Sequence, residues 1–179
     1  MNIRFSLSFC LFLLAGCAYN PNFIDVRELS VRFIKPTDWD GKRIPSTQIC
    51  QAEGGRGSTP PLYVDNIPPG TNVILLEINN TSNVALSTDG GQGSVGFYHD
   101  GSESATLLPV PGEAYILPSF AFEEKASRAN PARPFAYMPP CAPRRNKYSA
   151  TVKAVKRTGS FDKQKTVVLG EGFIELGVY

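Results

Sequence analysis

The sequence predicts an all-β domain, on three observations. The chain of 179 residues carries 16 Gly and 15 Pro, scattered along its length rather than gathered in one segment. Short β-prone runs lie between those turn residues. Stretches with a helical period are almost absent, and this combination is that of a chain of strands joined by turns.

The elements follow in order. Leu29-Ser-Val-Arg-Phe-Ile34 alternates apolar and polar residues and predicts a strand. Asp38-Trp-Asp-Gly41 predicts a turn, and Pro60-Pro-Leu-Tyr-Val64 an extended segment. Ile67-Pro-Pro-Gly70 places Pro and Gly where a turn needs them. Val73-Ile-Leu-Leu-Glu-Ile78 is a continuous apolar run of strand length, the signature of a strand buried on both faces. The polar, Gly-rich stretch from Asn79 to Gly93 predicts a loop, Val95 to Tyr98 a short strand, and Glu113-Ala-Tyr-Ile-Leu117 another. Ala121 to Arg128 is the best short helix, ended by Pro131. Lys147 to Val155 alternates well, and Thr166–Leu169 and Gly172–Leu176 predict two closing strands.

The N-terminus carries a different message. Arg4 precedes Phe5-Ser-Leu-Ser-Phe-Cys-Leu-Phe-Leu-Leu14, an apolar run too short to span a bilayer as a helix. It ends in Leu14-Ala15-Gly16-Cys17. Small residues before a cysteine fit a narrow peptidase groove, and the thiol then accepts lipid. The stretch resembles the lipobox of bacterial lipoproteins. The expectation is a signal peptide over 1–16, a lipidated tether over 17–28 and a β domain over 29–179. Ala18, in place of Asp, points to the outer membrane by analogy with enterobacterial sorting, facing the periplasm or the surface.

Composition narrows the partners. With 18 basic and 16 acidic residues the formal charge is +2. A chain so near neutrality offers no broad electrostatic surface to nucleic acid, and it has no polybasic run. The expected partners are the membrane, through the anchor, an envelope protein complex, and a small anionic ligand. No cofactor is expected. Cys10 leaves with the signal and Cys17 takes the lipid. Cys50 and Cys141 remain, either joined in a disulfide that an oxidising compartment permits or held as two buried thiols.

Three other motifs invite chemistry. Gly91-Gln-Gly-Ser-Val-Gly96 has dinucleotide-binding spacing but needs a following helix, and Phe97-Tyr-His-Asp opens none. His99 is the sole histidine, beside Asp100, Ser102 and Ser104, yet no nucleophile elbow accompanies it, and a solvated loop is the plainer reading. Gly54-Gly-Arg-Gly57 reads as a backbone anion nest with Arg56, or as a surface loop. A single His without paired cysteines argues against zinc.

Three separated blocks, taken together, resemble the phosphatidylethanolamine-binding protein family, which includes Raf kinase inhibitor protein. The first runs Gly41-Lys-Arg-Ile-Pro45, Cys50, Pro60-Pro-Leu62, Ile67-Pro-Pro-Gly-Thr71 and the strand 73–78. The second is Tyr137-Met-Pro-Pro-Cys-Ala-Pro143 with Lys147-Tyr148, and the third Gly172-Phe-Ile-Glu-Leu-Gly-Val-Tyr179. The resemblance implies a two-sheet antiparallel β-sandwich with one or two short helices and a small anion pocket at one end. The departures weaken that pocket. The family's acidic turn reads Asn79-Asn80-Thr81-Ser82, its His-Trp strand falls at Gly93-Ser94-Val95, and the His before its tyrosine becomes Asn146. The residues left to line a pocket are Asn79, Asn80, Pro140, Arg144, Asn146, Lys147 and Tyr148. No catalytic constellation remains, so the expected role is a non-enzymatic binding or structural module. Cys17→Ser is expected to move the protein from the membrane to the soluble fraction with its domain still folded, as read by cell fractionation and circular dichroism.

Overall fold

The structure is a computed structural model that describes residues 26–141, 145–160 and 163–179. Nine strands form two sheets: β1 Arg27–Glu28, β2 Ser30–Phe33, β3 Leu62–Asp65, β4 Val73–Asn80, β5 Gly93–Tyr98, β6 Ala105–Leu107, β7 Ala121–Lys125, β8 Lys147–Thr158 and β9 Lys165–Val178. The larger sheet has the order β1-β9-β8-β4-β5-β7 and the smaller β2-β3-β6. Every pairing is antiparallel except β1 on β9.

The apolar run that predicted β4 sits between β5 and β8, at the middle of the large sheet. Ile74, Leu76 and Ile78 point to one face and pack with Val95 and Phe97 of β5, Ala150, Val152 and Ala154 of β8, and Leu62, Val64 and Leu107 of the small sheet. Val73 and Leu75 point to the other face, where Val155, Phe122 and Val168 cover them. Burial on both faces explains why this strand does not alternate. Each fully buried aliphatic side chain contributes about 1.5–3 kcal/mol. Trp39 seals one end of the inner layer, stacked at 5.9 Å on Phe33, its Nε1–H donating to the Leu176 carbonyl at 2.7 Å.

Three expectations change. The segment chosen as a helix is instead edge strand β7. The Phe122 ring lies directly over Gly96, which has no side chain to obstruct it, and pairing with β5 outweighs the helical preference of Ala-Phe-Glu-Glu-Lys. The only helical pieces among the described residues are two 3-10 turns, Gln51–Glu53 and Val84–Leu86. Residues 113–117 form turns, with Glu113 at φ 53°, and strand β6 lies just before them. The two closing strands are one, β9, bent by a register shift opposite Ala154/Val155.

Gly93 opens β5 at φ 118°, and a Cβ there would stand 2.1 Å from the Ala136 carbonyl oxygen. Gly93→Ala is expected to destabilise the domain by at least about 2 kcal/mol, as measured by urea denaturation, because strain and overlap act together.

Candidate functional site

Strand parity builds the site. The inward positions of β4 are 74, 76 and 78, so position 80 continues the same row past the apolar core. The register of β4 on β8 sets Asn80 opposite Tyr148. Two polar side chains thereby end a hydrophobic layer, with Asn80 Nδ2 donating to the Tyr148 hydroxyl at 3.5 Å. The turn after β4 is fastened to the start of β8. Thr81 N–H and Oγ1 donate to the Lys147 carbonyl, and Lys147 N–H donates to Ser82 Oγ. Asn80 Oδ1 accepts from Ser82 N–H, and Asn83 Oδ1 from Ala85 N–H.

The opposite wall is the segment 135–141. Its backbone is tied at four places: Ser127 N–H to the Phe135 carbonyl, Glu113 N–H to Tyr137, Cys50 N–H to Pro140, and Met138 N–H to the Gln92 carbonyl. The Cys50–Cys141 disulfide closes it, with Cα atoms 5.3 Å apart. The pair of buried thiols is therefore excluded. Gly112 packs against the Pro139 ring, and a Cβ there would come within 2.3 Å of Pro139 Cγ.

Between these walls lies a cavity of about 160 Å³ lined by Asn80, Asn83, Leu86, Gln92, Ala129, Met138, Pro139, Cys141, Asn146 and Tyr148. A water molecule takes about 30 Å³, so the space suits a group of a few heavy atoms. Its polar lining is four carboxamides and one phenol, with no ionised side chain. Gln92 is 4 % exposed, and its Oε1 has no hydrogen-bond partner. Burying an acceptor without a donor costs about 1–3 kcal/mol. Burial raises the Tyr148 pKa above its ordinary value, against the lowering effect of the Asn146 side chain. Burial pushes Tyr137 higher still. Both phenols are thus neutral donors throughout the physiological range.

The sequence-derived residues separate here. Asn80, Asn146 and Tyr148 meet at the cavity. Asn79 lies beside it, with its Oδ1 occupied by Gly91 N–H at 3.1 Å. Pro140 is buried behind the wall, and its carbonyl serves Cys50. Lys147 is exposed and outside the lining. Arg144 and Cys17 lie outside the described residues. Gln92 and Asn83 were not among the sequence candidates. Gln92 sits next to the Gly93-Ser94-Val95 stretch, where the family resemblance points to a His and a Trp rather than to an amide.

The other motifs find structural uses. Gly91-x-Gly is followed by strand β5 rather than a helix. In the 54–57 loop all four N–H groups donate to backbone carbonyls, of Gln51, Cys50, Thr47 and Ile49, so none is left for an anion. His99 Nε2 lies 2.9 Å from the Ser102 carbonyl, while Ser102 Oγ donates to Asp100 at 2.6 Å. The serine therefore faces the carboxylate and not the imidazole. No cluster of three metal-ligating side chains occurs among the described residues.

A six-stranded sheet packed on a three-stranded one, with a small polar cavity at the end of the central strands, is a β-sandwich of the phosphatidylethanolamine-binding-protein type. A crystal structure of a protein described as a homologue of phosphatidylethanolamine-binding protein, from Chlamydia trachomatis, superposes with a TM-score of 0.50. It is 16% identical and matches 86% of this chain and 97% of its own. At that identity the likeness is one of fold. No family model and no curated protein sequence matches the chain.

Raised phenol pKa values couple folding to alkaline pH. A group whose pKa is higher folded than unfolded gives stability that is intact below the unfolded value, here 10.0, and lost as pH rises through the folded one. Thermal stability is expected to fall above about pH 10. Tyr148→Phe should make that decline shallower and remove one late-titrating phenol from the absorbance titration.

Proposed function

We propose that this chain is a lipid-anchored, non-catalytic binding module of the bacterial cell envelope, whose end cavity takes a small polar group. The anchor rests on Leu14-Ala15-Gly16-Cys17 behind its apolar run. The binding role rests on one observation above all: an amide-lined cavity whose lining includes Gln92, a buried side chain with an unpartnered acceptor. An unpartnered acceptor calls for a donor, such as a hydroxyl or an amine. Carboxamides offer donors and acceptors together, which suits an uncharged or zwitterionic polar group. Catalysis finds no support in the arrangement of His99, Ser102 and Asp100.

An anionic ligand is the second reading, favoured by the donors of Asn80, Asn146 and Tyr148 around one space. Calorimetric melting of the signal-free domain separates the two. Ethanolamine or glycerol at millimolar concentration is expected to raise the melting temperature, and Gln92→Leu to abolish the rise. A rise with inorganic phosphate alone would reverse the order of the two readings. No response to any of the three would remove the binding role.

A further inference from the structure

The topology gives the sandwich two distinct poles. Strand β4 runs from Val73 to Asn80, so the cavity lies at the Asn80–Tyr148 pole. At about 3.3 Å per residue the opposite pole is about 25 Å away. It is formed by the 66–72 turn, the 98–104 loop, the end of β8 and the start of β9. The chain enters the domain at this second pole. β1 runs parallel to β9, with Arg27 beside Gly170 and Glu28 beside Glu171, so the first described residues lie toward the start of β9. Two contacts confirm that direction. Asn66 Nδ2 donates to the Glu28 carbonyl at 2.7 Å, and Ser30 pairs with Asp65 at the edge of the 66–72 turn.

Eight residues, 18–25, separate Cys17 from the first described residue, Val26. A chain of that length spans about 16 Å as a relaxed coil and about 30 Å at full extension. The relaxed span is shorter than the distance between the poles. Only near full extension, at a cost in chain entropy, does such a segment reach round to the cavity end. The entry pole also carries surface chemistry suited to a bilayer. Lys156, Lys163 and Lys165 are exposed at the β8–β9 turn, and Arg27 is exposed on β1. Tyr98, 67 % exposed, and Phe120, 36 %, close the strands on the β5 side of this pole. Lysines meet anionic headgroups favourably, and partly exposed aromatic rings settle at a lipid–water boundary. The 98–104 loop, with Asp100 and Glu103, also lies against the 66–72 turn, the Glu103 carbonyl accepting from Ile67 N–H, and Lys156 packs near Gly70.

We infer that the entry pole is the surface that rests on the membrane, and that the cavity is presented away from it, toward the aqueous compartment. This rests on the anchoring role assigned to Cys17 above. The partner is an anionic lipid surface, met through the β8–β9 lysines.

The test uses the lipidated full chain, reconstituted in vesicles of phosphatidylethanolamine and phosphatidylglycerol that contain a headgroup-attached quencher. A fluorophore is placed on Thr158→Cys at the entry pole or on Val84→Cys at the cavity pole, where Val84 is 94 % exposed. Quenching several-fold stronger at position 158 than at 84 is expected. Replacing Lys156, Lys163 and Lys165 together by Glu should reduce quenching at 158 while the chain still floats with the vesicles. Equal quenching at both positions, or stronger quenching at 84, on vesicle-bound protein would overturn the orientation and leave the anchor standing. A chain that fails to float with the vesicles would overturn both.

Discussion

The register of β4 on β8 is the constraint from which the remaining geometry follows. Eight consecutive pairs, from Val73↔Val155 to Asn80↔Tyr148, place the apolar run 73–78 at the centre of the large sheet. A slip of one residue would turn Ile74, Leu76 and Ile78 outward and expose the core, so burial locks the register. The lock extends to the polar groups at the end of the core. Asn80 and Tyr148 are held at the rim of the cavity because the apolar residues below them have no alternative place.

The second wall is secured by other means. The 135–141 segment belongs to no strand, so its position depends on ties from four separate parts of the chain: Cys50, Gln92, Glu113 and Ser127. Gly93 and Gly112 let it approach closely, since a side chain at either would overlap it. Glu113 adds an anchor of its own, with Oε2 accepting from Gln51 N–H at 2.7 Å while its backbone holds a positive φ. The loops around Cys50 and Glu113 therefore act as a buttress behind the cavity. Their glycines are packing residues rather than anion-binding ones.

The parts of this molecule that could be read from the sequence are those governed by local pattern. The run 73–78, the alternation from Lys147 to Val155 and the Pro-Gly turn at 67–70 each report burial or backbone preference directly, and the structure has them as read. The Ala121–Arg128 stretch misled because its residue types favour a helix, whereas its fate is set by Phe122 finding Gly96 across the sheet, a contact without local signature. The cavity divides in the same way. Asn80, Asn146 and Tyr148 were reachable through three blocks that resemble a known family. Gln92 was not, because it reaches the cavity through the Met138 backbone docking on its carbonyl, a contact without local signature. Cys50 and Cys141 left bond and thiols equally open until the fold set their backbones side by side.

That cross-link ties residues 91 positions apart in the sequence. It cannot close until the chain through Cys141 has been made. The hydrophobic core needs no such chemistry, being complete from burial alone. Of the ties in the cavity wall, the covalent one alone depends on the surrounding redox state. A chain kept among reductants would hold the same sheets and the same core, yet its wall would rest on hydrogen bonds alone. Covalent closure of the cavity wall is in this sense coupled to where the protein is, and not merely to how it folds.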